Sequence, residues 1–279
     1  MNLRELQKYL EMELSKLTMD YAIETKLILE YFLNLNRADF ILNKDKTFEE
    51  VDLETVFSAL SRRKSREPLQ YIIGSQEFMG LPFMVTPAVL IPRQDTETLV
   101  EYAIDKLRDI PSPEILDIGT GSGAISVSIA VKVLDAVVTA SDISPEALEV
   151  AYENAKINGV ANRIQCLESD LFEKIMAKTY DMIISNPPYI PEYDRGILEA
   201  EVVSHEPNLA LFGGDDGLDF YRKIIPEARA FLKPEGFIMF EAGHDQGEII
   251  LKMMVAEGYK EVHLIKDLRG IPRFIIGQK

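Results

Sequence analysis

The chain has 279 residues, a length that suits two domains or one large α/β domain. It is 47% hydrophobic and 27% charged, ordinary globular values that exclude a disordered tail, a collagen-like fibre and a low-complexity linker. With 30 Lys and Arg against 46 Asp and Glu, the net charge of −16 repels phosphate backbones at long range. That excludes a general nucleic-acid binder, though not a local basic patch.

Cys166 is the only cysteine, so no intramolecular disulfide can form, as suits a reducing compartment. No apolar run approaches the roughly 20 residues that span a bilayer. The opening MNLRELQKYLEMELSKL carries charges throughout and has no signal-peptide core. A soluble, cytoplasmic protein is expected.

The first segment is helical. Leu3, Leu6, Leu10, Leu14 and Leu17 recur at spacings of three and four, one stripe of a helix. Tyr21, Ile23, Leu27, Leu29, Tyr31, Phe32 and Leu35 mark a second helix. Thr47 with Glu50 has capping-box spacing and opens a third, through Val51, Val56, Phe57 and Leu60. It ends in Arg62, Arg63, Lys64 and Arg66, read as a solvated helix end with a partner contact as the alternative. The expectation is a small helical bundle over residues 1–68.

Between residues 69 and 92 the texture changes. Tyr71, Ile72 and Ile73, then Phe83, Met84 and Val85, flank Gly74, Gly80 and Pro82, which predicts a β-hairpin arm between domains. From residue 93 to 279 strands and helices alternate. The expected strands are 114–118, 136–142, 163–170, 180–185, 236–242, 260–265 and 273–277. Ser144-Pro145 starts a helix and Asn158-Gly159 stops it. Such alternation implies a mostly parallel sheet with helices on both faces. Only KDLRGIP (266–272) joins the last two strands, too short for a parallel crossover, so they pair antiparallel.

The first of these strands ends in Asp117-Ile118-Gly119-Thr120-Gly121-Ser122-Gly123-Ala124, and a helix follows. Glycines let a backbone turn sharply and approach a ligand. Asp142, 23 residues after Gly119, ends the next strand, where a carboxylate can accept from both ribose hydroxyls. Gly119, Gly121 and Ala124 also satisfy the G-x-G-x-x-A dinucleotide fingerprint, so an adenosine-containing cofactor is indicated without deciding which. Asp117 before the turn can face an ammonium group, and Asp170, beside Leu171, can accept from an adenine amino group; both favour S-adenosylmethionine over NAD. The order of elements, with its antiparallel last strand, resembles the seven-stranded, Rossmann-like class I methyltransferase fold.

The fourth strand runs into Asn186-Pro187-Pro188-Tyr189. Two prolines cannot continue a ladder, so they form a stiff loop at the edge where doubly wound sheets bind ligands. A planar amide is a poor nucleophile because its nitrogen lone pair is delocalised. The Asn186 side-chain oxygen and the Pro187 carbonyl can accept its two N–H bonds and aim the lone pair, while Tyr189 stacks on the plane. The tetrapeptide resembles the signature of amino methyltransferases acting on adenine N6, cytosine N4 or glutamine N5.

Two longer stretches narrow this. REPLQYIIGSQEFMGLPFMVTPAVLIPRQDTETLVE (66–101) and HEPNLALFGGDDGLDFYRKII (205–225) resemble the peptide chain release factor glutamine methyltransferases, the PrmC/HemK family. Gln94-Asp95 departs from the Pro-Glu more frequent there. The resemblance implies methyl transfer from S-adenosylmethionine, giving S-adenosylhomocysteine, to the glutamine N5 in the Gly-Gly-Gln motif of release factors. It implies Asn186, Pro187, Pro188 and Tyr189 at catalysis and substrate. At the cofactor it implies Arg93, Asp117, Gly119, Thr120, Gly121, Ser122, Gly123, Asp142, Ile143, Asp170, Leu171 and Asn186. Adenine-N6 methylation of RNA or DNA is the alternative, disfavoured by the charge and by the lack of a spare target-recognition region. A monomer with no stable nucleic acid and no membrane partner is expected. His205, His244 and His263 lack metal-ligand spacing, so no metal is expected. Cys166 reads as a core residue, and Arg93 as a cleft residue or a partner of Glu97.

Overall fold

The structure is a computed structural model that describes residues 1–176, 178–267 and 269–279. Leu268, in the expected final connection, thus lies outside the described residues. The chain divides into two compact units: Met1–Gly74 with Ala200–His205, and Ser75–Glu199 with Glu206–Lys279.

The first unit is helical: α1 (Leu3–Leu14), α2 (Tyr21–Phe32), α3 (Asp39–Leu42), α4 (Glu50–Lys64) and α5 (Leu69–Ile73). Leu3, Leu6, Leu10 and Leu14 are all buried, and they pack in one cluster with Ile28, Leu29, Val56 and Leu60. The capping box falls elsewhere than expected. Asn2 Oδ1 accepts from Glu5 N at 2.9 Å and Glu5 Oε2 accepts from Asn2 N at 3.0 Å, capping α1. Thr47 is instead bridged to Asn2, which holds it away from the start of α4, where Glu49 stands at the cap. The basic run is also not a uniformly solvated end. Arg63 is only 3% exposed and meets Glu24 through two nitrogens, at 2.8 and 3.0 Å, and Glu201 through a third at 2.9 Å. Arg62 pairs with Glu67 and Lys64 with Glu13.

Tyr71–Ile73 belongs to a helix, not to a strand. Pro68 precedes its first turn, Tyr71 and Ile72 are buried, and Gly74 ends it at φ +77°. The unit boundary therefore falls at Gly74 and not at residue 68. The hairpin is shorter: β1 (Ser75–Phe78) and β2 (Leu81–Met84), joined by Met79 and Gly80 at φ 54° and 73°. Two successive positive φ values match the right-handed twist of a two-residue hairpin. The hairpin is no free arm. Phe78 and Phe83 meet edge to face at 6.0 Å and are buried in the core of the second unit.

In that unit α6 (Asp95–Leu107) leads into β3 (Glu114–Ile118), α7 (Ala124–Lys132), β4 (Val137–Asp142), α8 (Pro145–Ile157), β5 (Ile164–Glu168) and β6 (Tyr180–Ser185). The chain then forms α9 (Ala200–His205), which groups with the helical unit. It returns through α10 (Asp219–Phe231), β7 (Leu232–Glu241), α11 (Gly247–Ala256), β8 (Lys260–Lys266) and β9 (Pro272–Gln278). The seven strands lie in the order β5-β4-β3-β6-β7-β9-β8, parallel except for β9, which runs antiparallel to both neighbours. Ile115 and Leu116 fall in different apolar clusters, so both faces of the sheet are buried. That is why its strands read as continuous apolar runs. Cys166 packs partly buried against the core.

Ser144 caps α8 by accepting from Ala147 N at 3.1 Å. Within α8, Asn154 is completely buried and joins three segments. Its Oδ1 accepts from Met84 N at 2.6 Å, and its Nδ2 donates to Met84 O and Ser122 O, each at 2.9 Å. Among the described residues no helix is long and apolar enough to cross a membrane.

Candidate active site

The carboxyl ends of β3, β4 and β6 open onto a cavity of about 330 Å³. It lies where connections leave β3 and β6 in opposite directions, the usual ligand position in an open α/β sheet. One wall is the glycine loop. Gly119 and Gly121 take φ +72° and +55°, and a Cβ on either would meet nothing within 4 Å. Gly123 serves a different purpose: at φ +77°, its Cβ would stand 3.1 Å from Ala151 Cβ, against α8. Asp142 braces the loop, accepting from Gly121 N at 2.9 Å and Ser144 N at 3.0 Å. Burial raises its carboxyl above the ordinary range, against the pull of those amides.

The opposite wall is Asn186-Pro187-Pro188. Among the described residues no donor reaches the Pro187 carbonyl or Asn186 Oδ1, so both acceptors are free. The loop is held from behind. Gly213 N donates to Ile190 O at 3.0 Å, and Gln246 Nε2 to Tyr189 O at 2.9 Å. A Cβ on Gly213 would lie 2.4 Å from Pro188 O, and one on Gly217 2.2 Å from Tyr189 O. Only glycines permit this approach.

Behind Asn186 lies a chain of polar groups. Asn186 Nδ2 donates to Thr96 Oγ1 at 3.3 Å, and Thr96 Oγ1 donates to Glu241 Oε2 at 2.6 Å. Thr96 opens α6 and Glu241 ends β7, one step past the Ser185–Phe240 pair. Glu241 is 1% exposed, and burial pushes its carboxyl up to about 7 despite Thr96 and the nearby Arg273.

The cavity gathers Arg93, Gly119, Thr120, Gly121, Ser122, Asp142, Ile143, Asp170, Leu171, Asn186, Pro187 and Pro188. Three expected residues are not on its wall. Gly123 is turned to the helix packing just described. Asp117 is 0% exposed and accepts from Thr120 and Ser126 hydroxyls at 2.7 and 2.6 Å; burial pushes it up to about 6. Its carboxylate supports the loop from beneath, and among the described residues its Oδ1 has no hydrogen-bond partner. The Tyr189 ring packs against the core, its hydroxyl 3.5 Å from Glu241 Oε1, and burial raises its pKa. The expected stack on a planar acceptor is not its position here. Arg93 does line the cavity, but its ion pair is with Glu206 at 2.6 Å; Glu97 instead accepts from Met79 N. Thr96, Glu241, Gly213, Gly217 and Gln246 were not singled out from the sequence. A lone acid closing the apolar run GFIMFE was the available signal for Glu241.

The wall fits an adenosyl sulfonium cofactor: a two-oxygen acceptor for vicinal hydroxyls, open space at two glycines, and free acceptors opposite. Solved structures share the fold. The hMettl16 catalytic domain, solved in complex with a 3′UTR hairpin, superposes with a TM-score of 0.60 at 15% identity, covering 94% of this chain and 93% of its own. A methyltransferase from Pyrococcus furiosus superposes with a TM-score of 0.54 at 24% identity, covering 78% of this chain and 98% of its own. The fold is the class I methyltransferase fold.

Residues 95–205 match the methyltransferase small domain family, and residues 5–74 match the PrmC N-terminal domain. A release factor glutamine methyltransferase of Geobacter sulfurreducens is 44% identical over 92% of this chain and 89% of its own. One from Coxiella burnetii is 34% identical over 100% of this chain and 99% of its own. The chain belongs to the release factor glutamine methyltransferase family.

Proposed function

We propose that the protein methylates the side-chain amide nitrogen, N5, of the glutamine in the Gly-Gly-Gln motif of peptide chain release factors. The observation that carries this is the pair of free acceptors, Asn186 Oδ1 and the Pro187 carbonyl, on a wall opposite the glycine loop. A primary amide has two N–H donors in one plane. Two acceptors hold that plane, draw charge toward nitrogen and expose its lone pair. A carboxylate has no N–H to offer and is not a substrate.

S-adenosylmethionine, when bound, supplies an electrophilic methyl on a positively charged sulfur. Asp142 would accept from its ribose hydroxyls, and Asp170 would accept from its adenine amino group. Gly119 and Gly121 let the loop backbone come close, and Ile143 and Leu171 supply apolar walls. After transfer the N-methylated amide releases one proton to solvent water; the Asn186 and Pro187 oxygens are neutral hydrogen-bond acceptors and do not act as bases. The helical unit carries none of this machinery, and its role is recognition of the release factor.

The test is incubation of purified protein with methyl-labelled S-adenosylmethionine and intact release factor, followed by peptide mass spectrometry. A single methyl on the Gly-Gly-Gln glutamine is expected, and none when that residue is replaced by Glu. Label on lysine, on a carboxylate or on added RNA overturns the reading.

A further inference from the structure

Asn186 can act as an acceptor only if its amide is turned the right way. The two ends of an asparagine amide are nearly identical in shape, and packing alone hardly distinguishes them. Something must break that symmetry. We infer that Glu241, acting through the Thr96 hydroxyl, fixes the Asn186 amide with its nitrogen inward and its oxygen free, so that Glu241 and Thr96 are positioning residues for the acceptor glutamine. This rests on the methyl transfer proposed above.

A count of hydrogens gives the reason. An ionised carboxylate only accepts, and a threonine hydroxyl has one hydrogen to donate. Thr96 spends that hydrogen on Glu241 Oε2 at 2.6 Å. The hydroxyl then has only lone pairs left for Asn186. Of the two ends of the amide, only Nδ2 can pair with a lone pair, and it is Nδ2 that stands 3.3 Å away. Oδ1 is left without a donor, available to the substrate. The charge on Glu241 is thus passed on as an orientation.

Protonation undoes this. A neutral Glu241 can donate to Thr96, whose own hydrogen is then free to bond Asn186 Oδ1. The amide turns, and its NH₂ faces the NH₂ of the substrate, a donor against a donor. The groups around Glu241 are known. Arg273 of β9 favours the charged form and Asp95 of α6 opposes it. The Tyr189 hydroxyl lies at 3.5 Å, and Tyr221 of α10 donates to the Glu241 backbone carbonyl at 2.6 Å. Burial is the strongest of these influences and raises the carboxyl to about 7. Productive orientation therefore increases as pH rises through that value.

The test compares Thr96→Val, Thr96→Ser and Glu241→Gln with the wild-type enzyme, using labelled S-adenosylmethionine and intact release factor in single turnover. Thr96→Val should slow transfer about tenfold, the cost of one hydrogen bond, with cofactor affinity by calorimetry unchanged. Thr96→Ser keeps the hydroxyl and should recover most of the rate. The wild-type rate should rise across neutral pH, and Glu241→Gln should abolish that rise, since Gln offers either a donor or an acceptor at every pH. A second readout needs no turnover. In ¹³C,¹⁵N-labelled protein the Asn186 side-chain NH₂ signals should be protected from exchange, should titrate with the Glu241 carboxyl carbon, and should lose both properties in Thr96→Val. Transfer to a different residue in the wild type would remove the proposed substrate while the NH₂ signals still judge the relay. A Thr96→Val enzyme at full rate with unchanged Asn186 signals, or a Glu241→Gln enzyme that keeps the wild-type pH rise, overturns the inference.

Discussion

The two walls of the cavity are built by opposite means. On the glycine side, the wall is shaped by backbone: Gly121 and Ser144 donate N–H groups to the Asp142 carboxylate, and the loop curves because Gly119, Gly121 and Gly123 tolerate positive φ. Its parts lie close together in sequence. On the asparagine side, the polar groups are side chains from α6, the end of β6 and the end of β7, joined in a row. One wall is a shape, and the other is a chain of hydrogen bonds with a direction. The first should govern cofactor affinity and folding, the second the rate of chemistry.

The largest effect that follows is on rate. Asn186→Ala removes a preorganised acceptor and should slow single-turnover transfer about 10²–10³-fold, with cofactor affinity changed little. If affinity falls and rate does not, the division between the walls is wrong. Next is a pH effect on stability from Asp117. Its folded carboxyl lies near 6, above the unfolded value of about 3.9, so the folded state keeps a proton that the unfolded state has released. Stability is therefore lost as pH rises between those values, by roughly 2–3 kcal/mol. Asp117→Asn should flatten that slope in urea titrations run across the window. Asp142→Ala comes third. Losing two charge-assisted hydrogen bonds should weaken S-adenosylmethionine by about ten- to a hundredfold in calorimetry, with a smaller change in the rate of bound complex. Smallest is Gly123→Ala, which forces a Cβ into left-handed backbone 3.1 Å from Ala151 and should cost about 1–2 kcal/mol of folding stability. Thermal melting without ligand measures it, since the residue does not line the cavity.

The contrast between the walls also explains what could be read from the chain alone. Gly119 to Asp142 is local, its spacing is tied to one strand–loop–helix unit, and its place in the sheet follows from alternation. Ser144 at a helix start and Gly159 at its end are one-residue signals with one physical meaning each. The relay is different. Thr96 and Glu241 are 145 positions apart, and only the parallel register of β6 with β7 puts Glu241 beside Asn186. Nothing in local spacing encodes that. Two errors had a similar source. Tyr71-Ile72-Ile73 is β-branched and aromatic enough to suggest a strand, but burial on a single helical turn after Pro68 prevailed. Arg63 looked solvated within a basic run because its partners Glu24 and Glu201 are remote in sequence.

Asn154 sets a limit on how the hairpin can vary. One side chain measures the distance between Met84, at the end of β2, and Ser122, in the glycine loop. The hairpin can be lengthened at its tip, beyond Met79 and Gly80, without disturbing that measurement. An insertion or deletion between Gly80 and Met84 cannot be absorbed the same way. It carries Met84 out of register, leaves a buried amide without its partners, and loosens the loop on the far side of the helix. In a set of natural length variants, the tolerated ones should cluster at the turn and be absent from β2.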